Sequence, residues 1–194
     1  MEERRGGLKL ELQRKCIHLF IALIPTLAAL NLSHTALLLM LGILFYTFAE
    51  SLRFLGFTIP FISPVTASVL RKREHGCFAL GPVTLGLGAL FALLIFPSRV
   101  AAAAIYALAF GDSVSVLIGR FLGRIRPAIL LGKSLEGTLS GFAVVFLTSF
   151  LVFHEWKTAL AVGLASFLVD VLPLGDFDNL LLPLAAGLAA IVFA

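Results

Sequence analysis

Val100-Ala-Ala-Ala-Ala-Ile-Tyr-Ala-Leu-Ala-Phe-Gly-Asp112-Ser-Val-Ser-Val-Leu-Ile-Gly119-Arg120-Phe121 is an apolar run with a single carboxylate in its middle. At about 1.5 Å per helical residue, a run of this length crosses the roughly 30 Å hydrocarbon core of a bilayer. An ionised carboxylate there is costly, and an acid kept inside a span marks a functional-site candidate. Asp112 stands eight residues before Arg120, about 12 Å along a helix. Asp112, Ser115, Gly119 and Gly123 recur at helical spacing, so they share one small, polar face. Another helix or a ligand can approach such a face closely.

The rest of the chain is of the same kind. It has 194 residues, of which 60% are hydrophobic and 13% charged, and its mean hydropathy is +1.05. Soluble domains carry about 25% charged residues, so there is too little polar surface here to cover a water-soluble globule. The composition predicts an all-α, polytopic membrane protein forming one domain over 1–194. No nucleic-acid partner is expected, and the oligomeric state is left open. Seven apolar runs read as spans: Cys16–Leu32, Thr35–Leu55, Cys77–Phe96, Val100–Phe121, Thr138–Phe153, Thr158–Leu172 and Leu180–Phe193. Gly56–Leu70 is broken by Pro60 and Pro64 and reads as an interfacial or re-entrant segment. The basic N-terminal stretch shows no small-residue cleavage site and reads as a cytoplasmic flank running into the first helix. Cys16 and Cys77 lack CxxC spacing and read as apolar fillers.

Charge sets the expected orientation. Thirteen of the 15 Lys and Arg residues fall in the N-terminus, the 53–76 loop and the 120–133 loop; only Arg99 and Lys157 fall opposite. Basic loops stay cytoplasmic, so the N-terminus is expected inside and, after seven spans, the C-terminus outside. Glu50, Glu74, Asp112, Glu136, Asp170, Asp176 and Asp178 lie on the basic side as well. Anchoring to a membrane needs only the bases. A site at the cytoplasmic face accounts for both signs.

Gly132-Lys133-Ser134-Leu-Glu136-Gly137-Thr138 precedes the fifth run. It carries the letters Gly-Lys-Ser but lacks the first glycine of GxxxxGK[ST], so it is not a P-loop. A helix N-terminus with a lysine still suits phosphate, and Ser134 or Thr138 also suits an N-cap. Arg71-Lys72-Arg73-Glu74-His75-Gly76 reads as more than an anchor, because it attaches a histidine, the residue type suited to exchanging protons near neutral pH. Arg14-Lys15-Cys-Ile-His18 is of the same type, while Glu50 and Arg53, at i and i+3, suit a local pair. Asp176-Phe-Asp178-Asn179 groups oxygens on a turn, as a hard-cation site or as ordinary turn residues. Asp170 lies near enough in sequence to join them.

Taken in order, these motifs form a series: Glu11-Leu-Gln-Arg14-Lys15-Cys-Ile-His18, Glu50-Ser-Leu-Arg53, Arg71-Lys-Arg-Glu74-His75-Gly76, Gly111-Asp112 with Gly119-Arg120 and Gly123-Arg124, Lys133-Ser134-Leu-Glu136-Gly137, and Asp178-Asn179 with Pro183. The series resembles the dolichol kinase, phytol kinase and CTP-dependent diacylglycerol kinase family over nearly the whole chain. The resemblance implies phosphoryl transfer from CTP to a membrane lipid alcohol, with Mg²⁺ or another divalent cation. Two positions depart from the pattern. Asp170 stands where a glutamate is usual, and Asp176-Phe-Asp178-Asn179 replaces two adjacent aspartates before the asparagine.

The expected roles follow. Arg71, Arg73, Arg120, Lys133, Ser134 and Gly137 are candidates for nucleotide and phosphate, and Asp112, Asp176, Asp178 and Asn179 for metal. Glu136 and His75 are candidates for the base that takes the alcohol proton, and Asp112 is counted with the catalytic group. His18, Glu50, Arg53 and Asp170 are further candidates. The rival enzyme is a cytidylyltransferase making a CDP-lipid, which would release pyrophosphate. A lipid-phosphate transporter would need charge accessible from both faces, and the outer half is almost uncharged.

Overall fold

The computed structural model describes residues 2–57 and 77–193, and among them every regular element is helical. Helix α1 runs Glu2–Phe20, passes through a 3₁₀ turn at Ile21–Leu23, and continues as α2, Ile24–Leu30. Pro25 occupies the first turn of α2, where the missing N–H has no intrahelical partner to lose. Helix α3 spans Leu32–Phe54 and is capped by Asn31, whose side chain accepts from the His34 N–H at 2.9 Å. Then come α4 (Gly81–Ile95), α5 (Ser98–Tyr106), α6 (Asp112–Phe121), α7 (Leu135–Phe153), α8 (Trp156–Val171) and α9 (Asp178–Phe193). Gly56–Leu70 falls mostly outside the described residues.

Among the described residues, five helical stretches are long and apolar enough to cross a membrane: Glu11–Leu30, Leu32–Phe54, Ser98–Phe121, Leu135–Phe153 and Gly175–Phe193. The other two of the seven expected spans are shorter. The runs at Cys77–Phe96 and Thr158–Leu172 fold as helices of only 15 and 16 residues, about 23 Å long. Their ends are set by chemistry that a hydropathy count does not see. Residues 77–80 are held out of the helix: Glu50 Oε1 accepts the Ala79 N–H at 2.7 Å, and Arg53 donates to the Cys77 carbonyl at 2.9 Å. Phe96 and Leu172 adopt extended backbone before Pro97 and Pro173, as the residue before proline prefers.

The Ser98–Phe121 stretch is the central element, with 61% of its window buried against 11% for Leu32–Phe54. Its neighbours reach it over small side chains. Ala89, Ala92, Ala101, Ala104, Ala107, Ala186 and Ala190 are nearly or fully buried around Ile105 and Leu108. Small residues let helices approach closely where lipid supplies no hydrophobic drive between them. The outside is apolar as well: Leu30 is 82% and Phe20 70% exposed. Such a surface is that of a protein whose solvent is hydrocarbon.

Candidate active site

The central stretch is not one continuous α-helix. Ala107–Gly111 forms a π-helical turn between α5 and α6, a local irregularity that recurs at functional sites. Asp112 follows at once, as the first residue of α6. Its carboxylate meets α1. Lys15 donates to Asp112 Oδ2, and His18 Nδ1 lies 2.8 Å from the same oxygen. Lys15 and His18 stand at i and i+3, so one face of α1 supplies both. Asp112, Lys15 and His18 are 7%, 4% and 6% exposed. A buried carboxylate is tolerable only when paired and hydrogen-bonded, and this one has two partners.

The cluster opens into a cleft of about 220 Å³, whose lining includes Arg14, Lys15, His18, Asp112, Lys133, Asp176 and Asp178. Arg14 links α1 to the α8–α9 connection, with Nη2 3.6 Å from Asp176 Oδ1. Its own-helix neighbour Glu11 lies 3.9 Å away and also reaches Arg120 at 3.3 Å. Lys133 enters from the loop before α7. Its ammonium donates to the backbone carbonyl of Asp170 and to Asp170 Oδ1 at 2.8 Å. Ser115 donates to the other oxygen, Oδ2, at 3.0 Å. Asn179, in the same lining, donates to the Gly81 carbonyl and to Thr84 at 3.3–3.4 Å, tying α9 to α4.

A second, smaller groove of about 150 Å³ adjoins the cleft and is lined by Ser115, Gly119, Arg120, Arg126, Lys133 and Ser134 among others. Lys133 and Val116 belong to both linings. This groove sits where α6 and α7 run nearly in backbone contact. A Cβ on Gly137 would lie 2.5 Å from the Ser115 carbonyl, and one on Gly141 2.8 Å from Ser115 Cβ. Ser134 caps α7 by accepting the Gly137 N–H at 3.2 Å, leaving the groove beside a helix start. Arg126 donates to the Gly132 carbonyl at 2.7 Å, where Leu131 and Gly132 take positive φ.

The structure thus unites Asp112, His18, Lys133, Asp176, Asp178 and Asn179 around one cleft, with Asp170 behind Lys133. It places Arg120 and Ser134 in the adjoining groove and Gly137 in the helix seam. Glu136 stands apart: its carboxylate accepts the backbone N–H groups of Arg124 and Ile125 at 3.0–3.3 Å. Glu50, fully buried, is closed off by Arg53 and Ala79. Arg71, Arg73 and His75 lie outside the described residues. Lys15, the direct partner of Asp112, carried no individual role in the sequence reading, although its i, i+3 relation to His18 was visible there.

No three His, Cys, Asp or Glu side chains among the described residues converge as a ready-made metal centre. Asp112 is occupied by Lys15 and His18. The two remaining cleft carboxylates, Asp176 and Asp178, do not form a protein cage. They do fit Mg²⁺ that arrives on phosphate, since that ion takes one or two carboxylates plus phosphate oxygens and water.

The chain is 34% identical over 80 residues to the CTP-dependent diacylglycerol kinase 1 of Eremothecium gossypii. The match covers 41% of this chain and 25% of that protein, so the chain spans about a quarter of the curated relative it matches. No family model matches the chain, and no solved structure matches it.

Proposed function

We propose that the chain is a CTP-dependent lipid kinase that transfers the γ-phosphoryl group of the nucleotide to the hydroxyl of a membrane lipid alcohol. The observation that carries this reading is the cleft itself. Arg14, Lys15 and Lys133 line it together with Asp176 and Asp178, at the end of a bundle whose outer surface is apolar. Phosphoryl transfer asks a protein chiefly for in-line positioning and charge neutralisation. Fixed cations partly shielded from solvent neutralise phosphate more strongly than they would in bulk water. Lys133, shared between the two cavities, is placed to bind the triphosphate. The carboxylates of Asp176 and Asp178 would hold the divalent cation. Such a cation would supply charge neutralisation to the phosphates.

The similarity to a diacylglycerol kinase supports the same reading and makes diacylglycerol the first acceptor to test, ahead of polyprenol, dolichol, phytol and geranylgeraniol. The concentration of Lys and Arg in the N-terminus, the 53–76 loop and the 120–133 loop supports a cytoplasmic cleft, where nucleotide arrives from water and the alcohol from the bilayer. The test is purified protein in lipid nanodiscs, offered each alcohol with each γ-labelled nucleoside triphosphate. Labelled phospholipid and CDP are the expected products. Pyrophosphate and a CDP-lipid would instead mark a cytidylyltransferase.

A further inference from the structure

We propose that His18 is a catalytic residue that binds the acceptor hydroxyl and takes its proton, with Asp112 as the positioning residue that holds the imidazole. This assignment rests on the kinase reading above. It follows from how the cleft is built. His18 Nδ1 lies 2.8 Å from Asp112 Oδ2, and the ring is one wall of the cleft. The contact has ion-pair distance but not hydrogen-bond geometry; a carboxylate oxygen this close to Nδ1 favours the tautomer that carries its proton there and keeps the lone pair on Nε2. A carboxylate also stabilises the imidazolium that forms when a proton is taken.

Depth decides which substrate meets that nitrogen. His18 stands seven residues into the Glu11–Leu30 stretch, about 10 Å along the helix. Arg14 and Lys15 lie a turn nearer its charged end, and Arg14 faces Asp176 there. Beyond His18 the helix is apolar through Pro25, and Ile17 and Phe20 are exposed on its outer side. Leu172, Pro173 and Leu174 add apolar surface to the cleft lining. Phosphates therefore fit the Arg14–Asp176 end, and a lipid hydroxyl arriving from the bilayer fits the His18 end. The charged groups that face the imidazole or its cleft are Arg14 and Lys15 on its own helix, with Asp112, Lys133, Asp176 and Asp178 opposite. Of the two bases expected from the sequence, Glu136 is committed to backbone N–H groups and His75 lies outside the described residues; His18 is the imidazole that lines the described cleft.

The step balances without a further reactant. The acceptor oxygen bonds to the γ-phosphorus, and its proton passes to His18 Nε2. The bond from that phosphorus to the β–γ bridging oxygen breaks, and its electron pair leaves on CDP. The imidazolium then returns its proton to water.

The experiment compares wild type, His18→Asn and His18→Gln in nanodiscs with CTP and the acceptor, and measures labelled-CTP binding alongside turnover. Asparagine places an N–H near the Nδ1 position and retains the Asp112 contact, yet has no base. We expect His18→Asn to lower kcat by about 10²–10⁴-fold, with KM for CTP within about threefold of wild type. A residue that only braces Asp112 would leave His18→Asn close to wild type, and that result overturns the assignment. So does a loss of CTP binding that matches the loss of turnover. If His18→Asn does not fold, the same split is read from His18→Gln, and failure of both to bind CTP also overturns it. Wild-type protein that transfers phosphate to no alcohol removes the kinase reading and this assignment together. Wild-type transfer with an active His18→Asn removes this assignment alone.

Discussion

Glu50 and Asp112 are both acids buried in apolar helices, and both are paired with a basic residue. Glu50 is 0% exposed, and its partners are Arg53, one turn away, and the Ala79 N–H. Together they staple the end of α3 to the segment entering α4, and nothing is left over. Asp112 is 7% exposed, and its partners come from α1 across a tertiary contact. Those partners line a cleft with Lys133, Asp176 and Asp178. A buried ion pair is therefore no evidence of chemistry by itself. What separates the two acids is whether the groups around them also face a space that a ligand can enter.

The sharpest way to break that comparison is to neutralise each acid in turn. Asp112→Asn should lower turnover per folded molecule by about 10²–10³-fold, the scale for removing one electrostatic group from an active site. Glu50→Ala should destabilise the fold by about 1–3 kcal/mol, because the partly exposed Arg53 and the Ala79 N–H lose the acceptor they share. The surviving folded fraction should turn over normally, as read by thermal unfolding in detergent with activity normalised to folded protein. Equal losses of specific turnover in both variants would erase the distinction. Lys133→Ala tests the far wall of the Asp112 cleft: CTP binding should weaken by about 1.5–3 kcal/mol, the range for a charge-assisted hydrogen bond. Apparent affinity for the lipid should barely change, and a shift in the lipid constant instead would put Lys133 on the acceptor.

Glu136 is a third acid that the comparison assigns to the structural side. Glu136→Gln should lower thermal stability slightly by weakening the bonds to the Arg124 and Ile125 N–H groups, with kcat nearly unchanged. A slow Glu136→Gln with normal CTP binding would return it to the role of base. The smallest perturbation is a label. Cysteines at Arg124, just past the end of α6, and at Leu55, just past the end of α3, should both react from the cytoplasm only. Labelling of the two from opposite faces would part the Glu50 end from the Asp112 end.

Much of this was legible in the sequence. The isolated Asp112 in an apolar run, the polar face of Ser115 and Gly119, and the Ser134 cap are local patterns at helical spacing, and the structure contains each, while Gly123 falls past the end of α6. The polar face proved to be a helix seam against Gly137 and Gly141. The Glu50–Arg53 pair was legible for the same reason, being three residues apart. Helix ends were less so. The two short helices end where prolines and the Glu50–Arg53 staple redirect the backbone, and a count of apolar residues carries neither. The π turn before Asp112 has no sequence mark. The contacts of Glu136 were not legible, because its neighbours Lys133 and Ser134 suggest phosphate while its carboxylate accepts from two amides of the preceding loop.

By itself the amino-acid order determined the class of protein. With so few charges the chain has no polar coat for water, and bilayer thickness then sets the length of its helices. It also determined which residues were worth asking about, because charge within an apolar run is expensive wherever the run folds. Only the tertiary structure decided their company. Lys15 and Asp112 are 97 positions apart, Ser115 and Asp170 are 55 apart, and Lys133 and Asp170 are 37 apart. Contacts at such separations depend on how whole helices pack, and on small residues such as Gly137 and Gly141 that let them close. No local pattern records that, so the ion pairs, the cleft they border and the place of His18 beside Asp112 belong to the fold.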